Sequence, residues 1–454
     1  MIRRSLGEIA VMSGGRTGFP AVNIHGVSTD TRTLNPGNLY VPLQGQRFDG
    51  HQFAEQAAAK GAAAALWSST ETPAPQGLPL VLVEDTLTAL QALATSYRRQ
   101  LTRTRVIGVT GSNGKTSVKD MLLSILSTRH RTQATIGNQN NEIGVPLTLL
   151  SLSAETEMAV VEMGMSGRGE IALLSKLAGP EMAVITSIGE AHLADLGSLE
   201  QIALAKLEIL DGLTATGLFV ANGDSPLLQD AIRERAAITF GSGEQNEWRA
   251  KDVRLLGEGM AFRIHGLASP IFRLPLLGRH QVVNALGAIA AARALGLDME
   301  SIALGLSTVN ATGRRGELLR CGLTTIINDT YKSNPASVRA ALETFCSLSG
   351  YGKRVAVLGD MRDLGSAELE LHSAIGHSLD PDVVDTVITI GDAAKQISVA
   401  CVRRFPAGRV LATQSKEEAL ALLRPLLGKE PVLLLIKGAN VLALQDLVLA
   451  IKQA

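Results

Sequence analysis

The chain has 454 residues, room for roughly two to four domains, and 46% of them are apolar, enough to give each domain a buried core. Lysine plus arginine (43) equals aspartate plus glutamate (43), so the formal net charge is +0. That argues against a nucleic-acid stripe or a polybasic membrane patch, and 3% aromatics disfavour a base-stacking platform.

The first segment, MIRRSLGEIAVMSGG, carries two arginines but no long apolar stretch, so it does not read as a signal peptide. No run reaches the ~18 apolar residues that span a bilayer. Cys321, Cys346 and Cys401 lie far apart with no CxxC, which points to neither a disulfide framework nor a zinc site. A reducing cytoplasm and a monomer are the expectations.

Residues 1–100 alternate short strands and helices. LYVPLQG (39–45) reads as a strand ending at a glycine, and HQFAEQAAAKGAAAALW as a helix followed by a strand. LTALQALATSYRRQLT (87–102) reads as a helix with basic residues at its C-terminal end, which suits the helix dipole. A new unit opens at RVIGVTG (105–111). EMAVVEMG (157–164) and EMAVITSIG (181–189) are short, unalternating apolar runs, as buried parallel strands are. A helix is expected over 199–211, shorter strands around 247–278 and an alanine-rich helix at 281–295. After TGRRGEL (312–318) the alternation restarts. Strands are expected at 323–328, 354–358, 385–390 and 431–436, and helices at 335–347, 366–379, 414–427 and 440–453. No GxGxxG occurs there, so a dinucleotide site is not indicated.

The fold class that follows is α/β in three domains. A small α/β N-terminal domain covers 1–103. A central P-loop-type, mostly parallel domain covers 104–312. A C-terminal doubly wound, Rossmann-like domain covers 313–454.

The stretch GVTGSNGKTSVKD (108–120) carries the strongest chemical signal. The strict pattern GxxxxGK[ST] would need glycine where Val109 stands, so this is the shorter loop Thr110-Gly111-Ser112-Asn113-Gly114-Lys115-Thr116, followed by Ser117. Gly111 and Gly114 allow close backbone approach, and the amides at the next helix N-terminus face phosphate oxygens. Lys115 supplies mobile positive charge, and the Thr116 hydroxyl can sit on Mg²⁺. An ordinary strand–turn–helix connection with an incidental lysine is the competing reading. The apolar strand before it (Val106, Ile107, Val109) and the helix after it speak for phosphate.

Glu162 ends a later apolar strand, where ligands gather in open α/β sheets, and a carboxylate there can hold Mg²⁺. His192, in SIGEAHL, follows the next strand, and Lys206 lies in IALAKLEIL. On residues alone, a lone histidine or helical lysine is more often solvated or a satisfied core residue than a ligand.

Several stretches then occur together and in order: TGSNGKT, NQNNEIGVPLTLL (138–150), EMGMSGRGEI (162–171), IGEAHLADLGSLEQIALAKLEIL (188–210), LLGRHQVVNALGAIAA (276–291), INDTYKSNPASVRAAL (327–342) and VLGDMRDLG (357–365). In this set and order they resemble the Mur ligases. VSTDTRTLNPGNLYVPLQGQRFDGH (27–51) is similar to the uridine-nucleotide-binding segment of the member that adds D-alanyl-D-alanine to UDP-N-acetylmuramoyl-tripeptide.

The resemblance implies an ATP-dependent amide ligase of peptidoglycan precursor synthesis that works through an acyl phosphate. Lys115 and Thr116 would bind ATP phosphates and Mg²⁺, and Glu162 and His192 would help hold a second Mg²⁺. Lys206 aligns with the family's carbamylated lysine. Asn284 would contact adenine, and Arg314 or Arg315, with Asp329, would reach the nucleotide. Ser28, Thr31, Arg32 and Asp49 would line the uridine nucleotide. Asn138 and Asn141 would lie near the acyl phosphate and incoming dipeptide, and Tyr331 and Asn334 belong to the same substrate set.

Three positions depart from the family pattern. The third-domain motif usually reads close to D-x-Y-N-A-N-P, and here Lys332 stands at its first asparagine. Asn440 stands where a basic residue is usual in IKGAN, and Gln281 where asparagine is common in HQVVN. Lys332 and Asn440 leave room for a ligase of the same family with other substrates, such as a folylpolyglutamate-synthase-like or secondary-metabolite enzyme. A P-loop NTPase without ligase activity is the reading from another class.

Overall fold

In the computed structural model of the chain the described residues are 1–45, 48–68, 72–310 and 313–453. The expected boundary at 312 falls outside them, as do two residues of the 27–51 segment. The chain groups into two units, Met1–Thr110, Leu126–Ile185 and Ala205–Val220 in one, and Gly111–Ile125, Thr186–Leu204 and Ala221–Ala454 in the other.

In the first unit, helix Leu6–Ser13 starts from a reciprocal cap. Glu8 N–H donates to Ser5 Oγ, and Ser5 N–H donates to Glu8 Oε2 at 2.9 Å. Nearby strands run in the spatial order Arg16–Thr17, Leu80–Leu82, Ala64–Trp67, Leu39–Tyr40 and Val27–Ser28. The first pair is antiparallel and the rest are parallel. The strand expected over 39–45 stops at Tyr40, because Pro42 has no N–H for a ladder. Helix Thr86–Gln100 is capped by Asp85, whose carboxylate accepts from Thr88 N–H at 2.7 Å, and ends on Arg98 and Arg99.

The same unit holds the strand that feeds the phosphate loop, Arg105–Thr110. Met158–Glu162 and Met182–Ile185 flank it, both parallel, and Thr132–Ala134 lies beyond Met158–Glu162. Every residue of the two flanking strands is buried. That is why their sequences are continuous apolar runs rather than alternations. Register sets Glu162 beside Val109, at the carboxyl end of the sheet. The helix expected over 199–211 is α-helical only for Leu199–Leu207, and Glu208–Gly212 tightens into a 3₁₀ turn.

In the second unit, Ala250–Leu256, Gly259–Ile264 and Phe272–Leu274 form an antiparallel sheet. Shorter strands were expected here; the first is seven residues long, the second six and the third three. The alanine-rich helix is Arg279–Ala294. At Gly287 a Cβ would stand 2.8 Å from the Phe240 ring, so only glycine lets the helix lie on that face. The C-terminal sheet runs Glu317–Cys321, Thr324–Asp329, Val432–Lys437, Lys353–Gly359, Thr386–Ile390 and Val410–Thr413. All its pairs are parallel except the first, a hairpin. Helix Pro335–Ser347 starts where Asn334-Pro335 predicts. The helix expected over 440–453 is split: Asn440–Leu442 is a 3₁₀ turn, Ala443 turns left-handed (φ 48), and the helix proper is Gln445–Lys452.

Candidate active site

The phosphate loop lies in the second unit, and its shape is enforced by close approaches. A Cβ on Gly111 (φ +146) would stand 2.0 Å from Thr186 Oγ1, and one on Gly114 (φ +82) would stand 2.3 Å from Asn284 Oδ1. Both glycines are therefore obligatory for this backbone. Ser112 N–H donates to Ser187 O at 2.8 Å, and Asn113 N–H donates to Ser187 Oγ at 2.9 Å. Ser112 Oγ bridges to Gly189 O at 3.0 Å and receives Gly189 N–H at 2.9 Å. These bonds fix the first half of the loop. The second half opens helix Lys115–Leu126, whose first-turn amides have no intrahelical acceptor and so suit phosphate oxygens. Lys115 Nζ folds back on Gly111 O at 2.6 Å. Thr116 and Ser112 are buried. Asn284, whose amide donates to Gln281 Oε1 at 3.1 Å, meets the loop at Gly114.

Residues from the C-terminal sheet meet the same loop. Asn334 caps its helix, with Oδ1 accepting from Ser337 N–H at 2.9 Å, and its amide pairs reciprocally with that of Asn113 at 2.9 and 3.3 Å. Arg339 reaches Glu190 at 2.9 Å, and Asp363 O accepts from Ala194 N–H at 3.0 Å. Parallel register sets Asp329 beside Lys437, and Lys437 Nζ, fully buried, pairs with Asp329 at 2.7 Å and donates to Lys332 O at 2.9 Å. Two guanidinium groups lie over the Tyr331 ring, Arg315 at 4.2 Å and Arg314 at 5.4 Å from its centre. Arg314, in a left-handed backbone conformation, donates to Asn440 Oδ1 at 3.3 Å, so Asn440 holds this arginine.

His192 caps a short helix at φ 68. Its Nδ1 stands 3.5 Å from Asp195 Oδ2, and its Nε2 stands 3.5 Å from Lys332 Nζ. His280 opens the alanine-rich helix. Part of the residue reaches the surface, but its ring is deeply packed, and burial pushes its pKa down to about 4. Asp329 opposes this shift and Lys437 reinforces it.

In the first unit, Glu162 is buried at 2% exposure. Asn140 Nδ2 donates to its Oε1 at 2.7 Å, and its own N–H donates to Thr135 Oγ1 at 3.0 Å. Asn138 contributes a carbonyl that accepts Asn140 N–H at 2.8 Å. Asn141 Oδ1 accepts Gly144 N–H at 2.9 Å, at the first residue of helix Gly144–Ser151. Asn140, in NQNN, touches the carboxylate and is not among the residues singled out from the sequence. Lys206, in the last turn of its helix, is 1% exposed. A carbamate on this nitrogen would turn it into an oxygen donor of the kind Mg²⁺ takes.

Also in the first unit, the Arg32 guanidinium clasps Asp30 at 2.7 and 3.0 Å, which holds the Asp30 carboxyl below its usual range. Ser28 Oγ donates to Asp30 O at 3.0 Å, and Thr31 Oγ1 donates to Gln56 Oε1 at 2.9 Å. Asp49 Oδ1 accepts from His51 N–H at 3.0 Å and stands 2.6 Å from its Nδ1. Burial raises the Asp49 pKa, but the bonds from His51 outweigh it, and the group sits below its ordinary value. The buried His51 ring meets Trp67 edge-on at 4.7 Å. His51 closes the 27–51 segment but was not named among its site residues.

Among the described residues no three His, Cys, Asp or Glu side chains cluster into a cage for a metal. The donors present are a hydroxyl (Thr116), a carboxylate (Glu162) and an imidazole (His192). Each unit is taken by itself: the Thr116 hydroxyl of the second and the Glu162 carboxylate of the first are oxygen donors of the kind Mg²⁺ takes, and Mg²⁺ is seldom held by an all-protein cage. Among the described residues no helix is long and apolar enough to cross a membrane.

Three family models match the chain: the Mur ligase family catalytic domain at residues 23–98, the Mur ligase middle domain at 109–292, and the Mur ligase glutamate ligase domain at 314–440. The chain is 46% identical over 453 residues to the UDP-N-acetylmuramoyl-tripeptide–D-alanyl-D-alanine ligase of Bacillus subtilis, covering 99% of this chain and 98% of that one. It is 35% identical to the Escherichia coli enzyme of the same name, covering 100% and 99%. Among solved structures, MurF from Acinetobacter baumannii superposes with a TM-score of 0.91 at 31% identity over 100% of both chains. The MurF ligase of Thermotoga maritima in complex with ADP gives a TM-score of 0.82 at 26% identity, covering 94% and 97%.

Proposed function

The chain belongs to the Mur ligase family, and from that premise we propose that it joins D-alanyl-D-alanine to UDP-N-acetylmuramoyl-tripeptide, consuming ATP and yielding the pentapeptide, ADP and phosphate. The observation that carries this reading is 46% identity across nearly the whole length of an enzyme of that name, on a chain with a complete phosphate loop. The reaction belongs to peptidoglycan precursor synthesis. We place it in the cytoplasm, carried out by a monomer of three domains, 1–103, 104–312 and 313–454.

The chemistry follows from the groups involved. A peptide carboxylate is a poor electrophile, because oxide would have to leave. Phosphorylation by ATP makes an acyl phosphate with a good leaving group, and the free amine of D-alanyl-D-alanine displaces phosphate. The loop amides and Lys115 offset the repulsion between two anionic reactants and hold the γ-phosphoryl for transfer. Ser112, Asn113, Gly114 and Ser117 complete the cradle, with Asn284, Arg314, Arg315 and Asp329 on the nucleoside side. Ser28, Thr31, Arg32 and Asp49 would bind the uridine nucleotide, and Asn138, Asn141, Tyr331 and Asn334 the reacting peptides. Thr116, Glu162, His192 and carbamylated Lys206 would hold Mg²⁺, which when bound supplies charge neutralisation at the phosphates.

Phosphate release measured across a matrix of UDP-muramoyl peptides and dipeptide amines tests this reading. Release is expected only when the tripeptide nucleotide and D-alanyl-D-alanine are both present. Lys206→Ala is expected to lose most of it and to regain part on addition of a short-chain carboxylate. Release with a different pair would reassign the substrates, and near-normal turnover in Lys206→Ala would contradict the carbamate.

A further inference from the structure

We propose that Lys332 is an internal competitor for the cation position on His192, so that a divalent ion is held there weakly until this ammonium moves off the imidazole. The inference rests on the reading of His192 as a Mg²⁺ ligand.

The two ring nitrogens of His192 face different neighbours. Its Nδ1 faces a carboxylate oxygen of Asp195 at 3.5 Å, which favours the tautomer with the proton on Nδ1. Nε2 is then the acceptor, and it has a single in-plane lone pair. Lys332 Nζ stands 3.5 Å from that atom. A divalent ion would need the same lone pair at a distance of about 2 Å. One lone pair cannot serve both, and the two cations repel each other.

Two anchors put Lys332 where this competition occurs. Its carbonyl accepts from the buried Lys437 ammonium at 2.9 Å, and two residues on, Asn334 pairs with Asn113 of the phosphate loop. The backbone is thus pinned, while the side chain is exposed and carries a long flexible stem. An exposed contact of this kind at 3.5 Å is weak enough for a divalent ion to displace it, at a cost in the ion's affinity. The Mur ligase motif that this stretch resembles usually has asparagine at the position. A neutral amide brings no charge against the ion, so the competition is a property of this chain.

Mn²⁺ binding followed by electron paramagnetic resonance, on the full-length protein with a non-hydrolysable ATP analogue, tests the proposal. The wild type is expected to bind one ion tightly and one weakly. Lys332→Asn and Lys332→Met should each tighten the weak ion by about five- to tenfold, with the tight ion unchanged. Lys332→Arg should leave it weak, and His192→Ala should delete it in every background. If both neutral variants bind the second ion no more tightly than wild type while His192→Ala still deletes it, the competition is refuted and His192 stands as a ligand. If His192→Ala retains both ions, the ligand reading fails and the proposal with it.

Discussion

At the scale of single residues, the clearest energetic statement concerns His280. With its pKa pushed down to about 4 against an ordinary 6.5, the folded ring stays neutral where the unfolded chain takes up a proton. Between these values the unfolded state binds more protons, so stability falls as pH drops from about 6.5 to about 4. Urea midpoints at pH 7 and pH 5 should therefore differ less in His280→Gln than in wild type. An unchanged difference would mean that the ring is not the group responsible. Other residues show how far single positions can be read. The placement of Lys115 and Thr116 at a helix start and of Glu162 at a strand end was legible, because a glycine loop after an apolar run and a carboxylate closing another mark those junctions. Asn140 was not, because nothing local separates it from its neighbours in NQNN, and only the fold aims its amide at Glu162. Nor was the Asn113–Asn334 pairing, since no local pattern links residues so far apart in sequence.

At the scale of elements, the loop between strand Arg105–Thr110 and helix Lys115–Leu126 works because two glycines yield to side chains packed against them. Gly114→Ala would drive a methyl into the Asn284 amide from a left-handed backbone conformation. We expect a loss of ATP affinity of about 5- to 150-fold, from strain of order 1–3 kcal/mol, checked by calorimetric titration with ATP. Wild-type affinity in Gly114→Ala would show that the loop tolerates a different backbone and is not the cradle described. Buried parallel strands and capped helices were legible from sequence, since full burial erases alternation and Asn334-Pro335 marks a helix start. The edge strands Glu317–Cys321 and Val410–Thr413 were missed, because a half-exposed edge carries neither a continuous apolar run nor a strict alternation. The short helix Lys395–Cys401 was missed for lack of turns over which periodicity can show.

At the scale of the whole molecule, family membership organises what the residues do. Three family models cover most of the chain, and the motifs that suggested the family occur in its order. Within the second unit, Asn334 and Arg339 from the C-terminal sheet region touch Asn113 and Glu190, so residues distant in sequence share one neighbourhood around the phosphate loop. The central claim is that ATP is spent to turn an inert peptide acid into a mixed anhydride. Its most direct test starts from UDP-N-acetylmuramoyl-tripeptide labelled with oxygen-18 in the reacting carboxylate, turned over with ATP and D-alanyl-D-alanine, with mass analysis of the liberated phosphate. One labelled oxygen in each phosphate released is the predicted result. Unlabelled phosphate alongside amide product would contradict activation through an acyl phosphate.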